Sequence, residues 1–252
     1  MNRETFSQSI NTILLDIEGT TTPVDFVYQT LFPFARKHFK SYLEQNILNP
    51  EIQDDLKRLH QEQLNDTNEN LAPPEIHLEN QSYAIDSVFR YLIWLMDRDR
   101  KSPALKSLQG KIWEAGYRNG ELTGEVFADV PVAFQRWHSQ SKAICIYSSG
   151  SVLAQKLIFS HTRYGDLTRY ISNYFDTAVG GKKATASYQQ ILRSLKVPPD
   201  RLLFISDVIE ELDAARASGL PTSCSVRPGN SPVFTFNHHP MIYSFDEVFP
   251  DL

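Results

Sequence analysis

The sequence predicts an α/β fold: a doubly wound, mostly parallel sheet with a helical domain inserted after the first strand. Three observations predict it. Ile13-Leu14-Leu15 is a short apolar run that ends in an acidic turn. Residues 24–124 then carry apolar side chains at helical spacing and no convincing strand. From Asp129 onward, apolar strand-like runs alternate with helical patterns. Such alternation means parallel strands joined by helices on both faces. The expected division is 1–23 with 125–252 as the α/β core and 24–124 as the helical insert.

The elements follow in order. Asp16 and Glu18 come directly after the first strand, two residues apart, so in extended backbone they leave the same side. Gly19 permits a sharp turn, and Thr20, Thr21 and Thr22 place hydroxyls and backbone N–H donors beside the acids. Val27, Leu31, Phe34, Ala35, Phe39, Tyr42 and Leu43 recur at helical spacing, and Pro33 marks either a kink or the start of a second helix. Phe26, Tyr28, Phe32, Phe34 and Phe39 suit helix packing, with an apolar substrate pocket as the other use of such rings. Residues 50–64 read as a polar helix and 65–74 as a loop rich in Asn and Pro. Ile85, Val88, Phe89, Leu92, Ile93 and Met96 make a further helical stripe. Ser102-Pro103 is a cap and first-turn pair for a helix ending near Asn119-Gly120.

In the second half, a helix is expected over 131–139, and strands over 143–147, 174–179, 202–205 and 221–226. Helices are expected after Ser151, around Tyr188 to Leu195, and over 212–217. The strand ends bring polar residues of related type to one edge: Asp16 with Glu18, Ser148 with Ser149, Lys182 or Lys183, and Asp207. In a parallel sheet, ligands bind beyond the carboxyl ends of the strands. Each residue also has an ordinary use. The serines suit a helix cap, the lysines a solvated surface, and Asp207 a cap ahead of Glu210 and Glu211. Together they meet one chemical demand. Asp16 and Asp207 can share a hard cation such as Mg²⁺, which takes oxygen ligands and keeps waters and a substrate phosphate. Serine hydroxyls, backbone N–H groups and a lysine can neutralise the remaining phosphoryl oxygens.

Bulk properties exclude several classes. Among the 252 residues, 41% are hydrophobic and 22% charged, which are globular values. A net charge of −5 argues against general nucleic-acid or anionic-membrane binding. Cys145 and Cys224 lie in apolar runs without metal-ligand spacing and read as buried free thiols. Residues 1–10 have no apolar core of a secretory signal, and 91–96 is too short to span a membrane. A cytoplasmic protein is expected.

The order Asp16-x-Glu18-Gly19-Thr20, a strand-end Ser148, Lys182, then Asp207 with an acid at Glu211 resembles the haloacid dehalogenase superfamily. The helical insert resembles that superfamily's cap. Within it, Asp16 to Pro23, Leu31-Phe32-Pro33, Phe127 to Val130, Ile146 to Ser151, Phe175-Asp176-Thr177 and Val226 to Asn230 resemble the enolase-phosphatase family of methionine salvage. The resemblance implies a Mg²⁺-dependent monomer that enolises 2,3-diketo-5-methylthiopentyl-1-phosphate and removes its phosphate to give the acireductone. It implies Asp16 as nucleophile and metal ligand, Glu18 as acid/base and part of the metal site, through its backbone carbonyl in the wider superfamily, and Asp207 as the remaining metal ligand, with Glu211 behind them. Ser148 and Ser149 would contact substrate and Lys182 the phosphate, Lys182 being preferred to Lys183 by its position relative to Phe175-Asp176-Thr177. Three other readings stand beside it: another capped phosphatase acting on a sugar or glycolate phosphate, a signalling receiver domain, and an inert binding scaffold, which retention of every catalytic residue type argues against. The receiver needs its acidic pair and phosphoacceptor on different strands in a much shorter chain.

Overall fold

The computed structural model describes residues 6–69, 71–79, 81–231 and 238–250, with backbone alone for Gln81 and Ser82. Half of the leader expectation, on residues 1–5, therefore lies outside the described residues. The helices are α1 (Phe32–Asn46), α2 (Pro50–Asn68), α3 (Gln81–Asp97), α4 (Pro103–Arg118), α5 (Asp129–Ser139), α6 (Val152–Ser160), α7 (Thr185–Leu195) and α8 (Ile209–Arg216). The strands are β1 (Thr12–Leu15), β2 (Ala143–Tyr147), β3 (Ile171–Phe175), β4 (Leu202–Ser206), β5 (Thr222–Ser225) and β6 (Met241–Ile242). The chain divides into two compact units, Met1–Tyr28 with Leu122–Leu252, and Gln29–Glu121. These divisions fall a few residues inside the expected 24–124, because Phe26, Val27 and Leu122 are buried in the first unit.

In the α/β unit the strand order is β3-β2-β1-β4-β5-β6, and every neighbouring pair is parallel. The chain moves outward one way from β1 to β3 and the other way from β4 to β6, so the order reverses at β1. β1 is central and fully buried, which is why its sequence is a continuous apolar run. Leu14, Cys145, Tyr147, Tyr188, Ile191, Phe204 and Leu212 form one core cluster against the sheet. Both cysteines are free and buried, and burial pushes their thiols up, to about 12 for Cys145 and about 11 for Cys224.

β3 is an edge strand with exposed Ser172 and Asn173. Its polarity hid it, and the expected strand over 174–179 instead ends at Phe175. Asp176 then accepts from Ala178 N–H at 2.9 Å to open a 3₁₀ turn. β6 was not expected, since it has two residues and no periodicity to show.

The second unit is helical. Residues Phe26–Leu31 form a π-helical stretch that runs without a break into α1, and Pro33 sits in the first turn of α1, directly after that widened stretch. Ala35, Phe39 and Leu43 make its buried stripe. Of the five aromatic residues, Phe26 and Phe39 are core, Phe32 and Phe34 half-buried, and Tyr28 exposed. Helix α2 runs through the expected loop as far as Asn68. Tertiary partners outweigh the weak helix preference there: Tyr91 Oη donates to Asp66 at 2.8 Å, Arg100 pairs with Asp66, and Gln63 donates to Thr67 at 2.9 Å. Ser102 Oγ caps α4 by accepting from Leu105 N–H at 2.9 Å, and Gly120 at φ +75° ends it.

Candidate active site

The first-strand motif folds back on itself. Asp16 N–H donates to Ile205 O at 3.0 Å, holding the residue at the carboxyl end of β1 beside β4. Ile17 O accepts N–H bonds from Thr20, Thr21 and Thr22 at 3.1, 2.9 and 2.9 Å, and Gly19 N–H donates to Thr22 O at 2.8 Å. The threonine N–H donors expected to face a ligand thus close the turn instead. Gly19 at φ +71° makes that turn possible, a conformation costly for a side-chain residue.

The Asp16 carboxylate is 4% exposed and fully engaged. Its Oδ1 accepts from Ile17 N–H at 2.7 Å and from Lys182 Nζ at 2.5 Å. Ser206 Oγ lies 3.3 Å from Asp16 Oδ2 and 3.0 Å from Glu211 Oε2, so its single proton serves one carboxylate or the other. Lys182 Nζ is also 2.6 Å from Glu211 Oε2. Burial alone lowers the pKa of the Lys182 ammonium, but Asp16 and Glu211 together outweigh it and hold the group well above the usual lysine range. Burial, then the Asp16 charge, raises Glu211, against the pull of Lys182.

The neighbouring lysine behaves otherwise. Lys183 is 65% exposed and reaches only the equally exposed Glu210, at 3.7 Å. The loop that aims Lys182 is held by core side chains: Tyr188 Oη donates to Lys182 O at 2.7 Å, Tyr147 Oη to Gly180 O at 2.9 Å, and Ser187 Oγ to Gly181 O at 2.8 Å. A Cβ on Gly180 would stand 2.3 Å from Ser187 Oγ, so only glycine admits this approach.

Asp207 follows β4. Burial, and then the charge of Asp16, pushes its carboxyl up from 3.8 to about 7. Its Oδ1 is buried and has no hydrogen-bond partner. Its Oδ2 crowds the bare face of Gly19, where a Cβ would stand 2.3 Å away. Ser148 is buried and accepts from Gly150 N–H at 3.1 Å, whereas Ser149 is exposed. The helix cap that either might have supplied is Ser151, accepting from Ala154 N–H at 3.3 Å. Glu18 is half-buried, in a bridge to Thr22.

Sequence reasoning passed over several residues of this edge. Ser206 stands at the end of an expected strand, and Tyr147 and Tyr188 fall in an expected strand and an expected helix, none of them with a site role. The blocks around Asp129 and Asn230 were noted without a role. Arg227, 4% exposed, pairs with Asp129 at 2.8 Å and donates through Nε to Thr20 O at 3.3 Å. No spacing or periodicity along the chain signals this pairing, since Asp129 and Arg227 lie far apart in sequence.

A family model for the haloacid dehalogenase-like hydrolases matches residues 10–219. The enolase-phosphatase E1 of Synechococcus elongatus is 48% identical over 240 residues, 95% of this chain and 98% of its own length. That of Dictyostelium discoideum is 40% identical, covering 96% of both chains. The crystal structure of the UTR4 protein from Saccharomyces cerevisiae superposes with a TM-score of 0.78 at 33% identity, over 94% of this chain and 99% of that one. The chain belongs to the haloacid dehalogenase-like hydrolases, in the enolase-phosphatase E1 branch.

The metal that this hydrolase family implies can be tested against the donors present. Among the described residues no three His, Cys, Asp or Glu side chains gather as a ligand set. The expected set of Asp16, Glu18 and Asp207 is thus two neighbouring carboxylates with no third side chain. Two carboxylates still suit a hard cation that keeps waters and a phosphate oxygen in its shell. Asp207 Oδ1, buried and without a donor beside a second carboxylate, is the observation that fits such a cation. Among the described residues no helix is long and apolar enough to cross a membrane.

Proposed function

We propose that this hydrolase is a Mg²⁺-dependent enolase-phosphatase acting on 2,3-diketo-5-methylthiopentyl-1-phosphate, with the helical unit as its cap domain. The observation that carries the reading is near full-length identity of 40–48% with relatives named enolase-phosphatase E1. The geometry of the strand edge supplies the chemistry.

Asp16 is the nucleophile. Ile17 N–H, Lys182 and Ser206 fix its carboxylate, so attack on phosphorus needs little reorientation. Attack forms an aspartyl-phosphate and breaks the bond between phosphorus and the oxygen on C1. Glu18 protonates that departing oxygen and then takes a proton from the water that hydrolyses the aspartyl-phosphate. Lys182, held between Asp16 and Glu211, donates to a phosphoryl oxygen of the phosphate brought to Asp16, with Ser148 and Ser149 as further substrate contacts. Glu211 keeps Lys182 charged and in place. Asp16 and Asp207, with the backbone carbonyl of Glu18, would hold Mg²⁺. When bound, the cation neutralises charge on the phosphoryl group and polarises the substrate's oxygens. Enolisation moves a proton from C1 to the C2 oxygen and needs no nucleophile.

The test is phosphate release from the diketone phosphate, followed beside enediol absorbance with and without Mg²⁺, for wild type and Asp16→Asn. Wild type should yield phosphate and enediol only with Mg²⁺. Asp16→Asn, at Mg²⁺ high enough to keep the site loaded, should release phosphate near background while phosphorylated enol accumulates. Preferential turnover of glycolate or sugar phosphates by wild type would overturn the substrate assignment.

A further inference from the structure

The segment after β5 grips the catalytic turn from behind. Asn230 Nδ2 donates to Gly19 O at 2.9 Å and to Ser225 O at 3.2 Å. Ser225 Oγ approaches Gly19 O at 3.4 Å, and Arg227 Nε donates to Thr20 O at 3.3 Å. Two successive carbonyls of the turn are therefore held by side chains of one short stretch. That stretch is itself anchored. Arg227 lies between the rings of Phe127 and Phe245, at 4.8 and 4.6 Å, and is paired with Asp129.

The two carbonyl acceptors decide which way the Asn230 carboxamide faces, because only its NH₂ can donate to them. Asn230 Oδ1 must then point away from both. It is buried and has no hydrogen-bond partner. A Cβ on Gly19 would stand 2.9 Å from this oxygen and 2.3 Å from Asp207 Oδ2, so both oxygens press on the same face of that glycine. Buried acceptors are ordinarily satisfied, and one left open needs a reason. Here two unsatisfied oxygens, Asn230 Oδ1 and Asp207 Oδ1, belong to side chains that meet at one glycine.

We propose that Asn230 is a positioning residue of the cation site. Its NH₂ sets the Gly19 turn against Asp207, and its Oδ1 accepts a hydrogen bond from a water of hydration that arrives with the divalent cation. Partners of this kind, one step removed from the cation, typically govern affinity by about 10- to 100-fold. The inference rests on the cation-assisted reading above.

The experiment is a Mg²⁺ titration of the metal-free full chain, read by calorimetry and by the cation-induced rise in melting temperature. Wild type, Asn230→Ala and Asn230→Asp are compared. Asn230→Ala should weaken Mg²⁺ binding by about tenfold or more. Its metal-free melting temperature should fall by no more than a few degrees, because Ser225 Oγ and Arg227 Nε still reach the two carbonyls of the turn. Asn230→Asp keeps an oxygen at the position and should bind Mg²⁺ more tightly than Asn230→Ala. Wild-type affinity in Asn230→Ala would overturn the proposal. So would a metal-free melting temperature that falls in step with affinity, which would mean Asn230 only holds the fold. If Asn230→Ala fails to fold, Asn230→Ser takes its place, and wild-type Mg²⁺ affinity in that variant overturns the proposal equally. A wild-type chain that binds no Mg²⁺ would instead defeat the cation-assisted reading itself.

Discussion

Replacing Asp207 by Asn should stabilise the metal-free protein at neutral and alkaline pH while abolishing its stabilisation by Mg²⁺. The folded protein raises the Asp207 carboxyl from 3.8 to about 7, through burial and then repulsion by Asp16. Between those values the folded state holds a proton that the unfolded state has released. Stability therefore falls as pH rises through the window from about 4 to 7 and levels off above it. A shift of about three units at 1.36 kcal/mol each gives an upper bound of roughly 4 kcal/mol. Asp207 retains some contact with solvent, so about 2–4 kcal/mol is the working range. For a chain of this size that is on the order of 5–10 °C in melting temperature. Asparagine carries no charge to bury, so the variant escapes the loss. The assay is scanning calorimetry in chelator from pH 5 to 8, taking the difference between variant and wild type so that other carboxylates largely cancel. The difference should grow with pH up to about 7 and then level. Added Mg²⁺ should raise the melting temperature of wild type and not that of Asp207→Asn. A variant less stable than wild type at pH 8 in chelator, or a difference independent of pH, would refute the argument.

Two more predictions follow from the same edge. Lys182→Met should lower phosphate release by about 100-fold or more, since the buried ammonium beside Asp16 is lost, while Lys183→Met, exposed in the structure, should stay within about twofold in the same steady-state assay. Glu18→Gln should slow an alkyl phosphate by on the order of 100- to 10,000-fold but largely spare the first step with an aryl phosphate, whose leaving group needs no proton; rapid mixing should then show a phenol burst and acid quench a trapped phosphoenzyme, and equal slowing without a burst would remove Glu18 from the acid/base role.

The chemistry was legible in the sequence where it sits at the ends of buried strands. Continuous apolar runs ending in Asp16, Ser148 and Asp207 state both the strand and the edge, because the central buried strands are apolar along most of their length and turn polar at their carboxyl ends. The helical insert was legible for a similar reason, since its apolar stripes have a helix's period. Local signals misled where tertiary partners took over. Residues 65–68 look like a loop, yet Asp66 has Tyr91 and Arg100 to hold it in α2. Strand β3 carries polar residues on an exposed edge and so lacked an apolar signature.

By itself, then, the sequence determined the fold class and the types of residue that stand at the carboxyl ends of β1, β2 and β4. Only the tertiary structure decided between Lys182 and Lys183 as the buried partner of Asp16, because the choice depends on a loop pinned by Tyr147, Ser187 and Tyr188. It alone joined Arg227 to Asp129 and Asn230 to Gly19. Those pairs lie far apart along the chain, and no periodicity or spacing records which carbonyl a distant side chain will reach. Such contacts are set when β5 packs beside β4 and carries the following turn under the motif, a consequence of strand order rather than of any local pattern.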